Sequence, residues 1–238
     1  MAADAALLAA MSAARLGIEG RMPNSSNATY LVTFTDHEGA ERRGIYKPLL
    51  GERPLWDFEP GLWRREVAAF VLSEALGWDL VPPTVAGEGP LGEGSLQLFV
   101  PHDPNVHYFT LHECRPDLHD ALRRLAIFDI VANNTDRKGG HVILCPDDVP
   151  RGIDHGVCFS DEFKLRTVIW DFGGEEMDDA LVSPVAALVA DPAHCAGLFA
   201  GLLDDGEVDA LVERAAWIDD VRRFPSPTSR YQYPWPLL

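Results

Sequence analysis

Four side chains between positions 136 and 154 have the types and the order needed to move a phosphoryl group. Asp136 can accept a proton, and Lys138, two residues on, can neutralise a phosphate. His141, five residues after Asp136, can meet a metal cation, and Asp154, eighteen residues after it, offers hard oxygen donors for a divalent ion. Such transfer depends on positioning and charge neutralisation more than on covalent chemistry. Asp136 and Lys138 are therefore the candidate catalytic pair, with Asp154 and His141 as candidate metal ligands. Each also has a plainer explanation, Asp136 as an Asx turn at the Asn133-Asn134 bend and Asp154 as a turn residue before Gly156; their joint spacing favours the chemical one. A second acidic candidate, Asp171 in Asp171-Phe172-Gly173, lies thirty-five residues after Asp136 and is read as structural.

Such a site needs a second half that grips the donor nucleotide. Lys47 closes an apolar segment before Pro48, and Glu66 falls on the same helical face as Phe70 and Ser73. An inward glutamate is costly unless paired, so Lys47 is its natural partner and would be held on the phosphates. Ser25, Ser26 and Asn27 form a polar loop that can offer hydroxyl and amide donors to phosphate. Gln97, Leu98, Phe99 and Val100 would supply a strand whose backbone meets an adenine edge.

The elements that carry these residues follow from local pattern. Residues 4–16 are Ala-rich and helical by propensity. Residues 29–35 are β-branched and aromatic, and a second strand runs through Gly44-Ile45-Tyr46-Lys47 after the turn at 36–39. Residues 60–76 read as a helix stopped at Gly77, with Val67, Phe70, Val71 and Ala75 as its buried stripe. Strands over 81–85 and 95–100 are divided by a Gly-rich turn at 87–94. Asp117 is the expected N-cap of a helix reaching Ala132. A short hairpin joins 142–145 to 152–153, residues 180–217 form one or two helices, and the Pro-rich tail from Phe224 packs as extended coil. The fold class is α+β, with residues 1–100 as a small lobe of antiparallel sheet plus one helix and residues 101–238 as a mainly helical lobe.

The net charge is −17. This opposes nonspecific attachment to nucleic acid and stable association with anionic membrane, both of which require basic surface. Residues 171–220 contain thirteen Asp or Glu against Arg214 alone, a solvated acidic face or a dock for a basic protein partner. Basic residues instead come in pairs, at 42–43, 64–65, 123–124 and 137–138, several of them in segments assigned to the nucleotide site. No apolar run approaches a bilayer span, the N-terminus has no signal character, and the four cysteines form no CxxC pair, so a reduced cytoplasmic setting is expected.

The motifs Ser-Ser-Asn-Ala-Thr-Tyr-Leu-Val (25–32), Tyr46-Lys47-Pro48, Arg65-Glu66, Val81-Pro82-Pro83-Thr84, Gly94-Ser95-Leu96-Gln97-Leu98-Phe99-Val100, Asn134-Thr135-Asp136-Arg137 and Ile153-Asp154-His155-Gly156 occur in order. Together they resemble the type II phosphatidylinositol 4-kinases and their bacterial phosphatidylinositol 3-/4-kinase-like relatives, and more distantly the HipA-type kinases. The resemblance spans roughly residues 20–160. It implies a two-lobed protein-kinase-like fold with ATP in the cleft, Lys47 on the phosphates and Glu66 anchoring it. It further implies a hinge at Gln97, Leu98, Phe99 and Val100, Asp136 as catalytic, and Asp154 holding the metal, Mg²⁺ or Mn²⁺. His141 stands where the family usually has an Asn ligand, and imidazole prefers softer ions than Mg²⁺, which points to Mn²⁺ or to weakened turnover. No Cys-rich, lipid-modified insertion separates Lys47 from Glu66, which argues against a lipid acceptor. Three readings stay open: an ATP-dependent phosphotransferase acting on a protein or soluble small-molecule hydroxyl, a nucleotide-binding pseudokinase, and an AMP-transferring enzyme on the same fold.

Overall fold

The computed structural model describes residues 4–23, 25 and 27–238. Helix α1 (Ala5–Ser12), capped by the Asp4 side chain, precedes strands β1 (Gly17–Arg21), β2 (Tyr30–Thr35) and β3 (Glu41–Pro48). Helix α2 (Leu62–Ala75) follows, then the hairpin β4 (Thr84–Gly89) and β5 (Gly92–Leu98). The five strands form one antiparallel sheet in the order β1-β2-β3-β5-β4. Register places Lys47 opposite Ser95 and Ile45 opposite Gln97, so Lys47 and the strand leading to residue 100 are neighbours. Met11, Val32, Phe34, Tyr46, Val85 and Leu96 make a small core between α1 and this sheet.

The rest is mainly helical: α3 (Tyr108–Cys114), α4 (His119–Val131), a two-stranded ribbon of β6 (Val142–Leu144) and β7 (Pro150–Gly152), then α5 (Asp179–Ala190), α6 (Pro192–Leu198) and α7 (Asp205–Val221). The larger core runs from α2 through α4 to α5 and α7. This is the expected α+β arrangement, except that two helices, α1 and α2, pack on the sheet where one was expected. None of the four cysteines is in a disulfide. No single helix among the described residues is long and apolar enough to cross a membrane.

Several local expectations change. The buried stripe of α2 includes Ala68, Ala69 and Leu72, while Ala75 is exposed and Val71 only half-buried, because the sheet and the α4 side both press on the helix. Strands β4 and β5 run through the glycines at 87 and 94, so the turn shrinks to 90–91; Gly94 is needed where a Cβ would lie 2.4 Å from the Lys47 carbonyl. Asp117 does not cap α4: a 3₁₀ turn (Pro116–Leu118) intervenes, and the carboxylate pairs instead with Arg115. The segment 180–217 holds parts of three helices, since Pro192 starts a new one after Asp191 and Asp204 caps another. Helix α3 is short and went unrecognised in the sequence.

Candidate active site

The two halves meet at a cleft of about 740 Å³ between the sheet and the helical part, a volume suited to a small-molecule ligand. Lys47, Glu66, Asp136, Lys138, His141 and Asp154 all line it, as do Ser25, Asn27, Gln97, Leu98, Phe99 and Val100. Ser26 lies outside the described residues. Asn27 accepts a bond from the Arg53 amide (2.9 Å), which ties the polar loop to the chain after β3.

Lys47 Nζ pairs with Glu66 Oε1 and lies 2.8 Å from Asp154 Oδ1. Burial alone would lower the Lys47 pKa, but Asp154 and then Glu66 outweigh it and hold the ammonium above its ordinary value. Asp154 is pushed well below the usual carboxylate range, first by Lys47 against the opposing effect of burial, with help from His141. Glu66, buried on α2, uses its second oxygen to accept the His155 amide (3.0 Å), so one carboxylate joins Lys47 to the loop that bears Asp154. Gly156 makes that approach feasible, since a Cβ there would stand 3.3 Å from Glu66 Oε1. Asp154 itself is left-handed, with φ 61°, a conformation that costs a non-glycine residue about 1–3 kcal/mol and must be held by its surroundings.

Those surroundings centre on Arg137, which is fully buried. Its guanidinium meets both Asp129 oxygens (2.9 and 3.1 Å), donates to the Ile153 carbonyl at 2.9 Å, and contacts His155 Nε2 at 2.8 Å. The residues on either side of Asp154 are therefore clamped by one side chain. Asp129 is also bonded by Asn134 Nδ2 and Thr167 Oγ1, each at 3.0 Å. Sequence reading counted Arg137 as part of a basic pair and of the Asn134-Thr135-Asp136-Arg137 motif, without a role of its own, and missed Asp129. The signal was present: a carboxylate in the apolar run Ala126-Ile127-Phe128-Asp129-Ile130-Val131 requires a buried partner.

The loop after α4 shows how Asp136 is freed. The Asx turn is made by Asn134, whose Oδ1 accepts the Asp136 amide at 3.0 Å. The Asp136 carboxylate is left to face the cleft, where Lys138 Nζ lies 2.7 Å away. His141 Nε2 stands 3.5 Å from Asp154 Oδ2, and its Nδ1 is buried without a partner. Burial lowers the His141 pKa against the pull of Asp154, which favours a neutral imidazole able to ligate. Two donors 3.5 Å apart fit one cation with bonds of about 2.1 Å. No group of three or more such residues occurs among the described residues, so the remaining ligands of an ion held here would come from phosphate or water. Asp171 is remote from the cleft and accepts a bond from the Tyr108 hydroxyl.

In the hinge segment, Leu98 and Phe99 donate their amides to the Pro83 and Arg43 carbonyls, and the Val100 carbonyl contacts His102 Nδ1 at 2.9 Å. The Gln97 side chain donates to Thr84 Oγ1 (2.9 Å). Most of the earlier basic residues are not in the cleft: Arg42 pairs with Asp36, Arg43 with Glu19, Arg65 with Glu207 and Arg123 with Glu175.

No protein-family model matches the chain. It is 37% identical to Protein Rv2133c of Mycobacterium tuberculosis over 265 aligned residues, covering 97% of this chain and 95% of that protein. It is 32% identical over 171 residues to phosphatidylinositol 4-kinase gamma 4 of Oryza sativa subsp. japonica, covering 61% of this chain but 26% of the rice protein. Its fold matches the crystal structure of the Helicobacter pylori proinflammatory kinase CtkA with a TM-score of 0.52 and 10% identity, covering 90% of this chain and 94% of that one. The chain has the α+β fold of that kinase, shares a segment with a phosphatidylinositol 4-kinase, and belongs to one family with Protein Rv2133c.

Proposed function

We propose that the chain is an ATP-dependent phosphotransferase acting on a hydroxyl of a protein or soluble small molecule. The observation that carries this reading is the convergence of Lys47, Glu66 and Asp154 on one wall of the cleft that Asp136 and Lys138 also line. In it, ATP lies in the cleft with its adenine against Leu98, Phe99 and Val100 and its phosphates on Lys47 and the loop at 25–27. Asp154 and His141 would hold a divalent cation, which when bound neutralises phosphate charge. Asp136 orients the acceptor and takes its proton. The acceptor oxygen forms a bond to the γ-phosphorus as the bond to the bridging oxygen breaks, ADP leaves, and Lys138 offsets charge on the transferring group. The Lys47–Asp154 pair must open for both residues to serve the nucleotide, so binding would exchange this contact for phosphate and cation.

Transfer of label from γ-³²P-ATP tests the reading, with Mg²⁺ and Mn²⁺ compared. Asp136→Ala should abolish transfer while ATP still raises the melting temperature. Transfer at the parental rate by that variant would remove Asp136 from its role. A second reading, a nucleotide-binding regulatory module, is favoured by His141. It predicts stabilisation by ATP and metal with no Asp136-dependent product. Intact mass separates phosphate addition from AMP addition.

A further inference from the structure

Beside the cleft is a second hollow, of about 520 Å³, that the reading above leaves unused. The stretch 52–60 is the partition. Leu55, Trp56, Asp57 and Phe58 line both spaces, and the far side of the second is closed by Ser160, Asp161, Asp204 and Glu207. An occupant would thus be separated from the Asp136 cleft only by this strip of chain.

The composition of the hollow selects what could fill it. Its apolar lining sets two aromatics among leucines and prolines, with Trp56 91% exposed and Phe58 buried. Phe58 already serves as a face for cations: the Arg65 guanidinium lies 4.8 Å from its centroid and Lys164 Nζ 4.4 Å. Six carboxylates border the space against the guanidiniums of Arg53 and Arg65. Two are ion-paired, Glu207 with Arg65 and Asp57 with Lys164 at 3.0 Å. Glu52, Asp161 and Asp204 accept only backbone amides, and Glu59 has no bonded partner among the described residues. Exposed indole beside uncompensated carboxylate is complementary to a cation on an aliphatic stem, through cation–π contact and charge-assisted hydrogen bonds. An anionic occupant would face six carboxylates against two guanidiniums there.

We propose that this hollow is a subsite for an arginine or lysine side chain of a polypeptide acceptor, making the acceptor a hydroxyl on a basic polypeptide rather than an inositol lipid. Binding of the basic residue follows from the hollow alone. Delivery of a neighbouring hydroxyl to Asp136 rests on the phosphotransferase reading.

The test separates the two. A fluorescein-labelled serine peptide with an arginine pair, and the same peptide with glutamines in place of the pair, are titrated with the full chain by anisotropy. The arginine peptide should bind about tenfold tighter or better, a difference of about 1.4 kcal/mol. The double variant E59Q/D161N, both substitutions on exposed side chains, should erase most of that difference. E88Q/E93Q, which removes the same charge from the β4-β5 hairpin, should shift affinity less than twofold. Equal binding of the two peptides, or equal loss in both double variants, overturns the subsite, the latter because a general field of the acidic chain would then suffice. Melting curves of the variants, expected to coincide with the parent, confirm folding. If the arginine peptide binds as described but no label reaches its serine and ATP gives no thermal shift, the subsite stands and the phosphotransferase reading fails. If label is transferred with equal KM to both peptides, the reading stands and the subsite falls; transfer only to phosphatidylinositol vesicles overturns the subsite and the protein or soluble acceptor together, leaving phosphotransfer itself.

Discussion

Arg137 and Asp129 offer a quantitative test of how the cation loop is held. Replacing Arg137 with methionine keeps the stem but strands the Asp129 carboxylate, which is fully buried. Breaking one side of a buried pair costs about 3–5 kcal/mol. Asn134 and Thr167 still donate to Asp129, so the lower end, about 3 kcal/mol, applies to R137M. D129L is worse, about 5 kcal/mol, because the guanidinium keeps no anionic partner, only the Ile153 and His141 carbonyls and His155. For a chain of this size each kcal/mol lowers Tm by about 2–4 °C, so R137M should melt about 6–12 °C lower. The double variant R137M/D129L replaces the pair with apolar groups and should be no less stable than D129L. The coupling energy is then about 3 kcal/mol, measured by urea unfolding of the four proteins. Additive effects would show that the pair does not act as a unit. The functional consequence is separate: R137M should weaken Mn²⁺ binding, read by electron paramagnetic resonance, because Asp154 loses the clamp on both of its neighbours.

Other outcomes follow from neighbouring contacts. Glu66→Gln leaves one oxygen for two donors, Lys47 and the His155 amide, and should cost about 1.5–3 kcal/mol while raising KM for ATP more than it lowers kcat. His155 is buried and His141 half-buried, and both have lowered pKa values, desolvation being the largest cause. The unfolded chain therefore takes up protons first as pH falls below about 6.5. Stability should be fully present above that pH and decline toward pH 5, with a shallower decline in H141N, as followed by Tm. The Lys47–Asp154 pair should not contribute to that slope: a lowered Asp154 pKa loses stability only below about 3.8, and a raised Lys47 pKa only above about 10.5. Removing residues 234–238 deletes the Leu237 carbonyl that accepts the Gly139 amide at 2.7 Å. Hydrogen exchange at Gly139 should accelerate, with a loss of about 1 kcal/mol in stability.

The residues that line the cleft were legible because their chemistry is carried by type and order: an acid before a lysine, an acid before His-Gly, and a lysine with an inward glutamate on the next helix. Glu66 could be placed because helical spacing with Phe70 and Ser73 fixes a face, and both are buried in α2. What stayed hidden depends on tertiary contact. The role of Arg137 is set by Ile153 and His155, sixteen and eighteen residues on, and local pattern says nothing about that meeting. The capping role of Asp117 lost to a better partner, Arg115, and Gly87 and Gly94 looked like a turn because the near approach of β3 that requires Gly94 is a property of the sheet. The aromatic partition at 52–60 has no periodicity, so neither the second hollow nor its shared wall could be inferred from the chain alone.

The most direct measurement is the crystal structure of the chain with Mn²⁺ and a non-hydrolysable ATP analogue. The account predicts the triphosphate in the cleft with Lys47 Nζ on its oxygens, Asp154 bound to the cation, and the Asp136 carboxylate facing the γ-phosphate. A cation on Asp171, or a nucleotide bound away from Lys47 with the Lys47–Asp154 pair intact, would contradict it.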